Sequence, residues 1–182
     1  MPLPLAARAA FYRDGLDVVT PSVRRVAPDM VSPRAKTHNY LNLILGELEV
    51  SAQDPNALAI LLDENGNLSE GKGSNIFLVA DGVIRTPKER YVLPGVSRAV
   101  VQELAGNLGM TLEEADIDLF DAYNAEECFI SSTSFCVCPV RSVNGNVYSA
   151  DCPGPVTQKI IDAYIDYVGF DWYAQYLNKL AA

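Results

Sequence analysis

The chain has 182 residues, enough for one well-cored domain and too few for two ordinary ones. Its apolar fraction of 49% and charged fraction of 20% are typical of a folded globular protein rather than a disordered one. The formal net charge of -9 argues against a nucleic-acid partner, because proteins that bind nucleic acids present basic patches to the phosphate backbone.

Membrane and export signals are not predicted. No stretch approaches the ~20 apolar residues that a membrane-spanning helix needs. Residues 1–8 contain two prolines and an early arginine where a signal peptide would carry its apolar core. We therefore expect a cytoplasmic protein that does not enter a membrane.

The cysteines predict reduced thiols, mostly on strands, at Cys128, Cys136, Cys138 and Cys152. A zinc site built from these four is disfavoured, because no C-x-x-C pair occurs. His38 is the single histidine, so a histidine-based metal site cannot be assembled. We expect no metal.

The first third of the chain predicts a helix, a strand and a second helix. Residues 5–13 form a short helix that ends at Asp14-Gly15, where the strand Leu16–Val19 begins. After a loop at Pro28–Pro33, apolar residues recur at helical spacing, at Tyr40, Leu41, Ile44, Leu45 and Leu48. Lys36 therefore precedes a helix and can point into the cleft that its N-terminus faces.

Two hairpins are predicted next. The strand Ala57–Leu62 turns at Asn65-Gly66 and returns toward Glu70, and Asn-Gly between apolar strands is among the strongest hairpin signals. The second hairpin begins with Asn75–Ala80 and turns at Asp81-Gly82. The Gly-rich connection that Glu70 begins can hold a side chain rigidly while its backbone stays close to a ligand.

A helix with an anion-binding end is predicted after the hairpins. Pro94-Gly95 opens this helix, which stops near Gly109. Ser97 is a candidate N-cap. Free amides and a hydroxyl at a helix N-terminus make a ready site for an anion such as phosphate.

The remaining elements are a short helix, two strands, a turn and a long helix, placed at Asp121–Glu126, Cys128–Ser132, Val137–Val140, Asn144-Gly145 and from Pro155 onward. The first of these strands ends in a second hydroxyl cluster, Ser132-Thr133-Ser134. The aromatic tail Phe170–Leu177 is expected to pack on the core or against a second copy of the chain. Together the elements predict a mixed α/β (α+β) domain rich in antiparallel hairpins, not a doubly wound parallel sheet.

One lysine, one acid and two hydroxyl clusters carry the candidate chemistry. Taken alone, Lys36 reads as a solvated lysine and Glu70 as an ordinary turn acid, while Ser97 reads as a helix cap. Taken together, they match the needs of pyridoxal phosphate. A lysine can form a Schiff base, an acid can keep the pyridine nitrogen protonated, and hydroxyls beside a helix N-terminus can hold the phosphate.

A nucleotide-binding motif is approached but not completed. Residues 66–72 match the first seven positions of a P-loop, whereas Gly73 occupies the position of the magnesium-binding Ser or Thr. The residues that follow predict a strand where a P-loop requires a helix. No G-x-G-x-x-G follows a strand, so a dinucleotide site is not predicted either.

The ordered motifs resemble those of the class IV aminotransferases, the fold-type IV pyridoxal phosphate enzymes. The segments that carry the resemblance are Lys36-Thr37-His38-Asn39-Tyr40, Glu70-Gly71-Lys72-Gly73-Ser74-Asn75, Leu93-Pro94-Gly95-Val96-Ser97 and Ser132-Thr133-Ser134. The group includes branched-chain and D-amino acid aminotransferases, (R)-selective amine transaminases and aminodeoxychorismate lyase. The resemblance implies the fold-type IV large domain, a barrel-like, hairpin-rich sheet with flanking helices.

The resemblance also implies a role for each residue. Lys36 would form the Schiff base, and Glu70 would face the pyridine nitrogen. The amides of Val96 and Ser97, with the Ser97 hydroxyl, would bind phosphate, and Thr133 would close that site. Further cofactor contacts are implied at Arg25, on the strand before the lysine, and at Tyr40, and substrate contacts at Ser134 and Phe135.

One departure from the family pattern shapes the expectations. Family members carry a smaller N-terminal domain ahead of this region, and that domain supplies an arginine to the phosphate. We therefore expect residues 1–182 to be a single cofactor-binding domain without the small domain, and the cofactor site to be open. Arg8 and Arg13 are the candidates to replace the missing arginine.

The function implied by the resemblance is transamination between an amino acid or primary amine and a 2-keto acid, by a homodimer. Two alternatives stay open. One is a non-catalytic or partner-dependent domain that binds pyridoxal phosphate, and the other is a lyase of the aminodeoxychorismate lyase type. Retention of Lys36, Glu70, Ser97 and Thr133 favours the enzyme, because a decayed domain has no physical need for them.

Overall fold

The structure is a computed structural model that describes residues 4–148 and 151–180. Eight strands form a mixed sheet: β1 Leu16–Val19, β2 Leu58–Ala59, β3 Asn75–Ala80, β4 Val83–Pro87, β5 Thr111–Ala115, β6 Glu127–Ser132, β7 Cys136–Val143 and β8 Asn146–Val147. The described helices are α1 Leu5–Asp14, α2 Leu41–Ser51, α3 Val96–Asn107, α4 Leu119–Asn124, α5 Pro155–Val168 and α6 Trp172–Leu177, with a 3-10 turn at Glu89–Tyr91.

The sheet is antiparallel at its centre and parallel toward its edges. Its order is β2-β1-β7-β6-β3-β4-β5, and β8 pairs with β7. β6 runs antiparallel to both β7 and β3, and β3 runs antiparallel to β4. β1 runs parallel to β2 and β7, and β5 runs parallel to β4. The predicted mixed α/β class is therefore confirmed.

Two predicted hairpin turns have the backbone that their sequences favour. Asp81 and Gly82 have φ values of 54° and 72°, and Asn144 and Gly145 have 51° and 80°. Two successive positive φ angles define the tight turn whose twist matches that of paired strands, and Asn, Asp and Gly adopt them most readily. These turns fix the register of β3 with β4 and of β7 with β8.

The Glu70 segment continues into a strand, which excludes the P-loop geometry. The backbone N–H of Ser69 donates to the carbonyl of Leu61 at 2.9 Å, and that of Leu61 donates to the carbonyl of Glu70 at 3.1 Å. The strand predicted over 57–62 is regular only at β2. Its remaining residues pair irregularly with the segment that follows the Asn65-Gly66 turn. β3 begins at Asn75, where a P-loop would start a helix.

Helix α2 presents its apolar stripe to solvent. The predicted apolar positions Leu41, Ile44, Leu45 and Leu48 are all exposed in this chain. The buried face consists of Leu43, Gly46 and Val50, which pack with Ala57, Ala59 and Leu61. The spacing thus predicted the helix, whereas the face that packs on the sheet is the one containing Gly46.

Helix α3 begins at Val96, two residues earlier than a Ser97 cap requires. Gly95 is the N-cap residue, and no side chain caps the helix. Ser97 lies within the first turn, so its predicted role as N-cap is wrong. The helix buries an apolar face at Val100, Val101, Leu104 and Ala105. The hydroxyl of Ser97 is consequently not used for capping.

The aromatic tail packs on its own chain. Trp172 and Tyr176 of α6 are 4% and 3% exposed. Tyr176 stacks on Tyr12 of α1 with ring centroids 4.2 Å apart, and Trp172 meets the same ring edge-on at 5.7 Å. α6 was not predicted as a helix, because its burial depends on the distant α1. Of the two arrangements expected for the tail, packing on its own core is the one that the structure shows.

Candidate active site

A cleft of about 350 Å³ opens where the residues before α2, the Glu70 segment, the start of α3 and the end of β6 meet. Seven predicted cofactor residues line it: Arg25, Lys36, Tyr40, Glu70, Val96, Ser97 and Thr133. They come from segments far apart in sequence. The fold therefore brings the predicted cofactor set into one place.

Glu70 accepts a hydrogen bond at each of its carboxylate oxygens. Arg25 Nε donates to Oε1 at 2.9 Å, and the backbone N–H of Leu93 donates to Oε2 at 2.9 Å. Both charged side chains are almost fully buried. Burial raises the pKa of Glu70, while the Leu93 N–H and the Arg25 guanidinium oppose that rise. The carboxylate is thus fixed in direction at the floor of the cleft.

Hydrogen bonds join residues 91–93, at the end of the 3-10 turn and just after it, to side chains on both sides of Glu70. Ser69 Oγ donates to the carbonyl of Tyr91 at 2.8 Å, and Asn75 Nδ2 donates to the carbonyl of Leu93 at 3.1 Å. These bonds add to the one from the Leu93 N–H to Glu70. The start of α3 is therefore positioned by the same strand connection that carries the acid.

The anion-binding end of the cleft combines a helix start with a strand end. The first backbone N–H groups of an α-helix lack intrahelical partners, and the first turn of α3 has neither a capping side chain nor an acidic residue. Thr133 lines the same cleft from the β6–β7 turn. Nearby, the buried Oγ of Ser131 has no hydrogen-bond partner. Uncapped amides and free hydroxyls are the donors that a phosphate group accepts from.

Charge in the cleft is opposite to charge on the whole protein. Four cationic side chains line it, Arg25, Arg34, Lys36 and Lys72, and Glu70 is the one acidic side chain among the described lining residues. The chain as a whole has a formal net charge of -9. Three of these cations are paired with a glutamate: Arg25 with Glu70, Arg34 with Glu89 and Lys72 with Glu47. Lys36 therefore supplies the positive charge that favours an anionic ligand in the cleft.

Lys36 lies on the solvent side of the cleft. The wall that it shares with Arg34 and Thr37 is exposed, whereas Tyr40 at the start of α2 is half-buried. The sequence predicted that Lys36 can point into the cleft at the start of this helix. Lys36 does line the cleft, and polar and charged residues line it as well, because the apolar stripe of α2 is exposed elsewhere.

Several predicted residues lie apart from this cleft. Ser134 and Phe135 line a neighbouring cavity of about 270 Å³, because the chain turns away into β7 after Thr133. Arg8 places its guanidinium 4.2 Å from the centre of the Phe135 ring, and Arg13 pairs with Asp14 on the surface. Neither arginine lines the cleft. Arg25 does, but it lies on irregular backbone after β1 rather than on a strand.

Sequence reasoning missed three polar residues of the site. Arg34 lines the cleft and pairs with Glu89 at 2.8 Å, and Lys72 lines both cavities. Asn42 accepts the backbone N–H of Val26 and donates to the carbonyl of Arg24, so it supports the chain beside Arg25. Lys72 could have been found from its place in the Glu70 motif. The other two had no motif to mark them.

Gly95 is required by a close approach at the start of α3. A Cβ at this position would lie 2.5 Å from Oδ1 of the buried Asn75, whereas a Cβ at Gly106 on the same helix would meet nothing within 4 Å. We expect Gly95→Ala to lower the free energy of unfolding by about 1–3 kcal/mol through overpacking. Gly106→Ala should raise it by about 0.5–1 kcal/mol through helix propensity.

Urea unfolding of the two glycine variants beside the parent measures both effects. Gly106→Ala is the matched control, since both changes add one methyl group to the same helix. Equal stability of Gly95→Ala and the parent would contradict the close approach between Gly95 and Asn75 that orients the cleft end of α3.

The part of the chain that the structure describes shows neither a membrane-spanning helix nor a cluster of metal ligands. No helix in 4–148 or 151–180 is long and apolar enough to cross a membrane. Within the same ranges, no group of three or more His, Cys, Asp or Glu side chains is arranged to hold a metal ion. The cleft remains the site with a distinctive set of polar groups.

The solved structures place the fold among aminotransferases. The branched-chain amino acid aminotransferase of Escherichia coli superposes with a TM-score of 0.82 at 37% identity, over 91% of this chain and 54% of that one. The enzyme of Thermobaculum terrenum in its PLP holo form superposes with a TM-score of 0.80 at 29% identity, over 93% of this chain and 56% of that one.

The sequence relatives agree with the structures. The branched-chain-amino-acid aminotransferase of Escherichia coli is 38% identical over 158 residues, and that of Pseudomonas aeruginosa is 36% identical over 157. In both cases 86% of this chain is matched, and it spans 51% of the relative's length. The family model for amino-transferase class IV matches residues 2–143. The chain therefore belongs to the class IV aminotransferase family, as its motifs predicted.

Proposed function

We propose that the chain is a pyridoxal phosphate-dependent transaminase that uses the cleft as its cofactor site. One observation carries the proposal: the seven cofactor residues implied by the family line a single cleft. Family membership and the PLP form of a structural relative support it. The chain spans about half the length of these relatives, so its own activity needs a direct test.

The groups in the cleft fit the chemistry of pyridoxal phosphate. The cofactor has an aldehyde, a basic ring nitrogen and a phosphate, and it supplies an electron sink for the carbanion formed at the substrate α-carbon. Lys36 is a primary amine that can hold the aldehyde. Glu70 is an oriented acid for the ring nitrogen. The uncapped start of α3 lines the same cleft as Thr133, and together they offer donors to the phosphate.

Lys36 and Glu70 would divide the proton chemistry between them. The Lys36 amine would accept a proton from the substrate α-carbon as general base and then donate it, as general acid, to the C4′ carbon of the cofactor. Glu70 would keep a proton on the ring nitrogen. Arg25 Nε and the Leu93 N–H each donate to one oxygen of the Glu70 carboxylate. An ionised carboxylate oxygen has further lone pairs, which can accept a hydrogen bond from the protonated ring nitrogen.

The substrates proposed first are branched-chain amino acids with a 2-keto acid acceptor. The relatives' names provide the support, since Escherichia coli and Pseudomonas aeruginosa proteins of 36–38% identity are branched-chain-amino-acid aminotransferases. Primary amines remain the second donor class. The neighbouring cavity, with Phe11, Leu58 and Phe135 in its walls, offers apolar surface to a side chain.

We also propose that the protein forms a homodimer and that it acts in the cytoplasm. The exposed apolar stripe of α2, in which Leu41 is 69% and Leu48 is 59% exposed, is surface that association would cover. A monomeric mass from light scattering of the purified chain at working concentration would contradict the homodimer.

Absorbance and turnover together test the proposed function. Added pyridoxal phosphate should give the visible band of a lysine-bound cofactor, and branched-chain amino acids with 2-oxoglutarate should then give the matching keto acids. Binding without turnover of any donor would assign the alternative of a non-catalytic domain. Repeated turnover to a keto acid without an acceptor, from a donor that carries a leaving group on its β-carbon, would assign a lyase. Absence of the band would overturn the cofactor site itself.

A further inference from the structure

Side chains of two helices distant in sequence, α1 and α6, donate hydrogen bonds to the backbone of the turn that carries Thr133. Tyr176 Oη of α6 donates to the carbonyl of Ser134 at 3.0 Å, and Tyr12 Oη of α1 donates to the carbonyl of Phe135 at 2.6 Å. Arg8 Nη1 adds a longer bond of 3.3 Å to the Ser134 carbonyl. Two consecutive peptide planes are thus fixed from outside the hairpin.

The turn needs such support because its own backbone is strained. Cys136, the residue that ends it, has a φ of 56°, which is uncommon for any side chain larger than glycine, asparagine or aspartate. Conformations of this kind persist where the surrounding structure imposes them. Within the turn, Ser132 Oγ accepts the backbone N–H of Phe135 at 3.0 Å. The two tyrosine hydroxyls and Arg8 restrain the turn from outside it.

The same aromatic cluster also reaches the other half of the anion site. The cluster consists of Tyr12, Tyr164, Trp172, Tyr173 and Tyr176. Trp172 meets the rings of Tyr12 and Tyr164 edge-on, at 5.7 and 6.1 Å. Tyr164 Oη lies 3.5 Å from Ser97 Oγ at the start of α3. One buried cluster therefore contacts both Ser97 and the turn of Thr133.

We propose that Tyr176 and Tyr12 are positioning residues for the phosphate of the cofactor. By fixing the carbonyls of Ser134 and Phe135, they set the distance and direction of Thr133 relative to the first turn of α3. The inference rests on the proposed function for the identity of the anion. The restraint on the turn is a property of the protein without ligand.

Tyr176→Phe and Tyr173→Phe form a matched pair for the test. Each removes one hydroxyl from the same helix and the same cluster, but Tyr173 Oη donates to the carbonyl of Tyr12 at 2.7 Å and not to the turn. Tyr173→Phe should therefore report the general cost of a lost hydroxyl in the cluster. Ser97→Ala serves as the positive control, since it removes a proposed phosphate donor directly.

Affinity for pyridoxal 5′-phosphate and for pyridoxal, measured by absorbance titration, separates phosphate positioning from general destabilisation. Tyr176→Phe should weaken pyridoxal 5′-phosphate about fivefold, the usual worth of one hydrogen bond, and leave pyridoxal within about twofold. Tyr173→Phe should leave the ratio of the two affinities unchanged. Equal loss for both ligands, or no loss for either, would overturn the positioning role.

Hydrogen exchange of the protein without ligand keeps this inference distinct from the proposed function. Amides of residues 132–136 should exchange faster in Tyr176→Phe than in the parent or in Tyr173→Phe. If the parent binds neither form of pyridoxal, the proposed function fails on its own. Unchanged exchange at 132–136 in Tyr176→Phe would overturn the restraint, whatever the parent binds.

Discussion

Lys36→Ala is expected to remove both the visible cofactor band and all measurable transamination. The amine is the group in the cleft that we assign to hold the cofactor aldehyde and to transfer the proton at the substrate α-carbon. General acid–base catalysis alone contributes about 10²- to 10⁴-fold, and the loss of covalent attachment adds to it. Absorbance titration and a keto acid assay on the variant and the parent measure the two effects.

Lys72→Ala is the matched control for Lys36. Lys72 also lines the cleft, but its ammonium lies 3.4 Å from Glu47 and belongs to the wall shared with the neighbouring cavity. The Lys72→Ala protein should keep the cofactor band and most of its turnover. A normal band in Lys36→Ala combined with its loss in Lys72→Ala would transfer the role of the amine to Lys72.

Glu70→Gln is expected to lower turnover by about 10²- to 10³-fold, the usual cost of removing one preorganised electrostatic group from an active site. The amide keeps the shape of the carboxylate and the bond from the Leu93 N–H. It cannot hold a proton on the ring nitrogen. We therefore expect the cofactor to remain bound while the rate falls, so kcat should decrease far more than the affinity for the cofactor.

Glu47→Gln is the control for loss of a carboxylate near the cleft. Glu47 is partly exposed and pairs with Lys72 rather than with a group at the floor of the site. Its replacement should change kcat less than about twofold, because an exposed ion pair contributes little. Equal rates in Glu70→Gln and the parent would show that the ring nitrogen does not depend on Glu70.

The buried position of Glu70 also predicts how stability depends on pH. Burial raises its pKa above the ordinary value of 4.5, so the folded protein holds this proton more tightly than the unfolded chain does. The stabilisation is complete below the unfolded value and is lost as the pH rises through the folded one. The free energy of unfolding of the parent, relative to that of Glu70→Gln, should therefore decrease as the pH rises from about 4.5. A difference that grows over this range would contradict the direction of the shift.

The elements that local chemistry specifies were predictable from the sequence. The strand at Leu16–Val19 and the turns at Asp81-Gly82 and Asn144-Gly145 follow from residues adjacent in the chain. The same is true of the helix that Pro155 begins, because proline is suited to the first turn. Spacing and turn residues act over a few positions, so their signal does not depend on the rest of the fold.

Elements that depend on a distant partner were missed or misplaced. β5 has exposed, acidic residues and no alternation, and it becomes a strand because β4 pairs with it. Helix α6 forms where α1 offers the ring of Tyr12. The buried face of α2 is the one with Gly46, since a Cβ there would lie 2.8 Å from the Leu61 side chain. The close approach of two elements decides which face of a helix is buried, and the periodicity of the sequence does not contain that information.

For the candidate site, the sequence by itself determined the residue types and their order. Lys36, Glu70, Ser97 and Thr133 were predicted from motifs, because each motif combines a chemical group with a local turn or helix start. The tertiary structure decided the rest. Only it showed that Arg25 orients Glu70, that Arg34 and Lys72 line the cleft, and that Tyr12 and Tyr176 hold the turn of Thr133. These contacts join residues that are up to 123 positions apart, as between Tyr12 and Phe135. Motifs of neighbouring residues contain no information about such distant contacts.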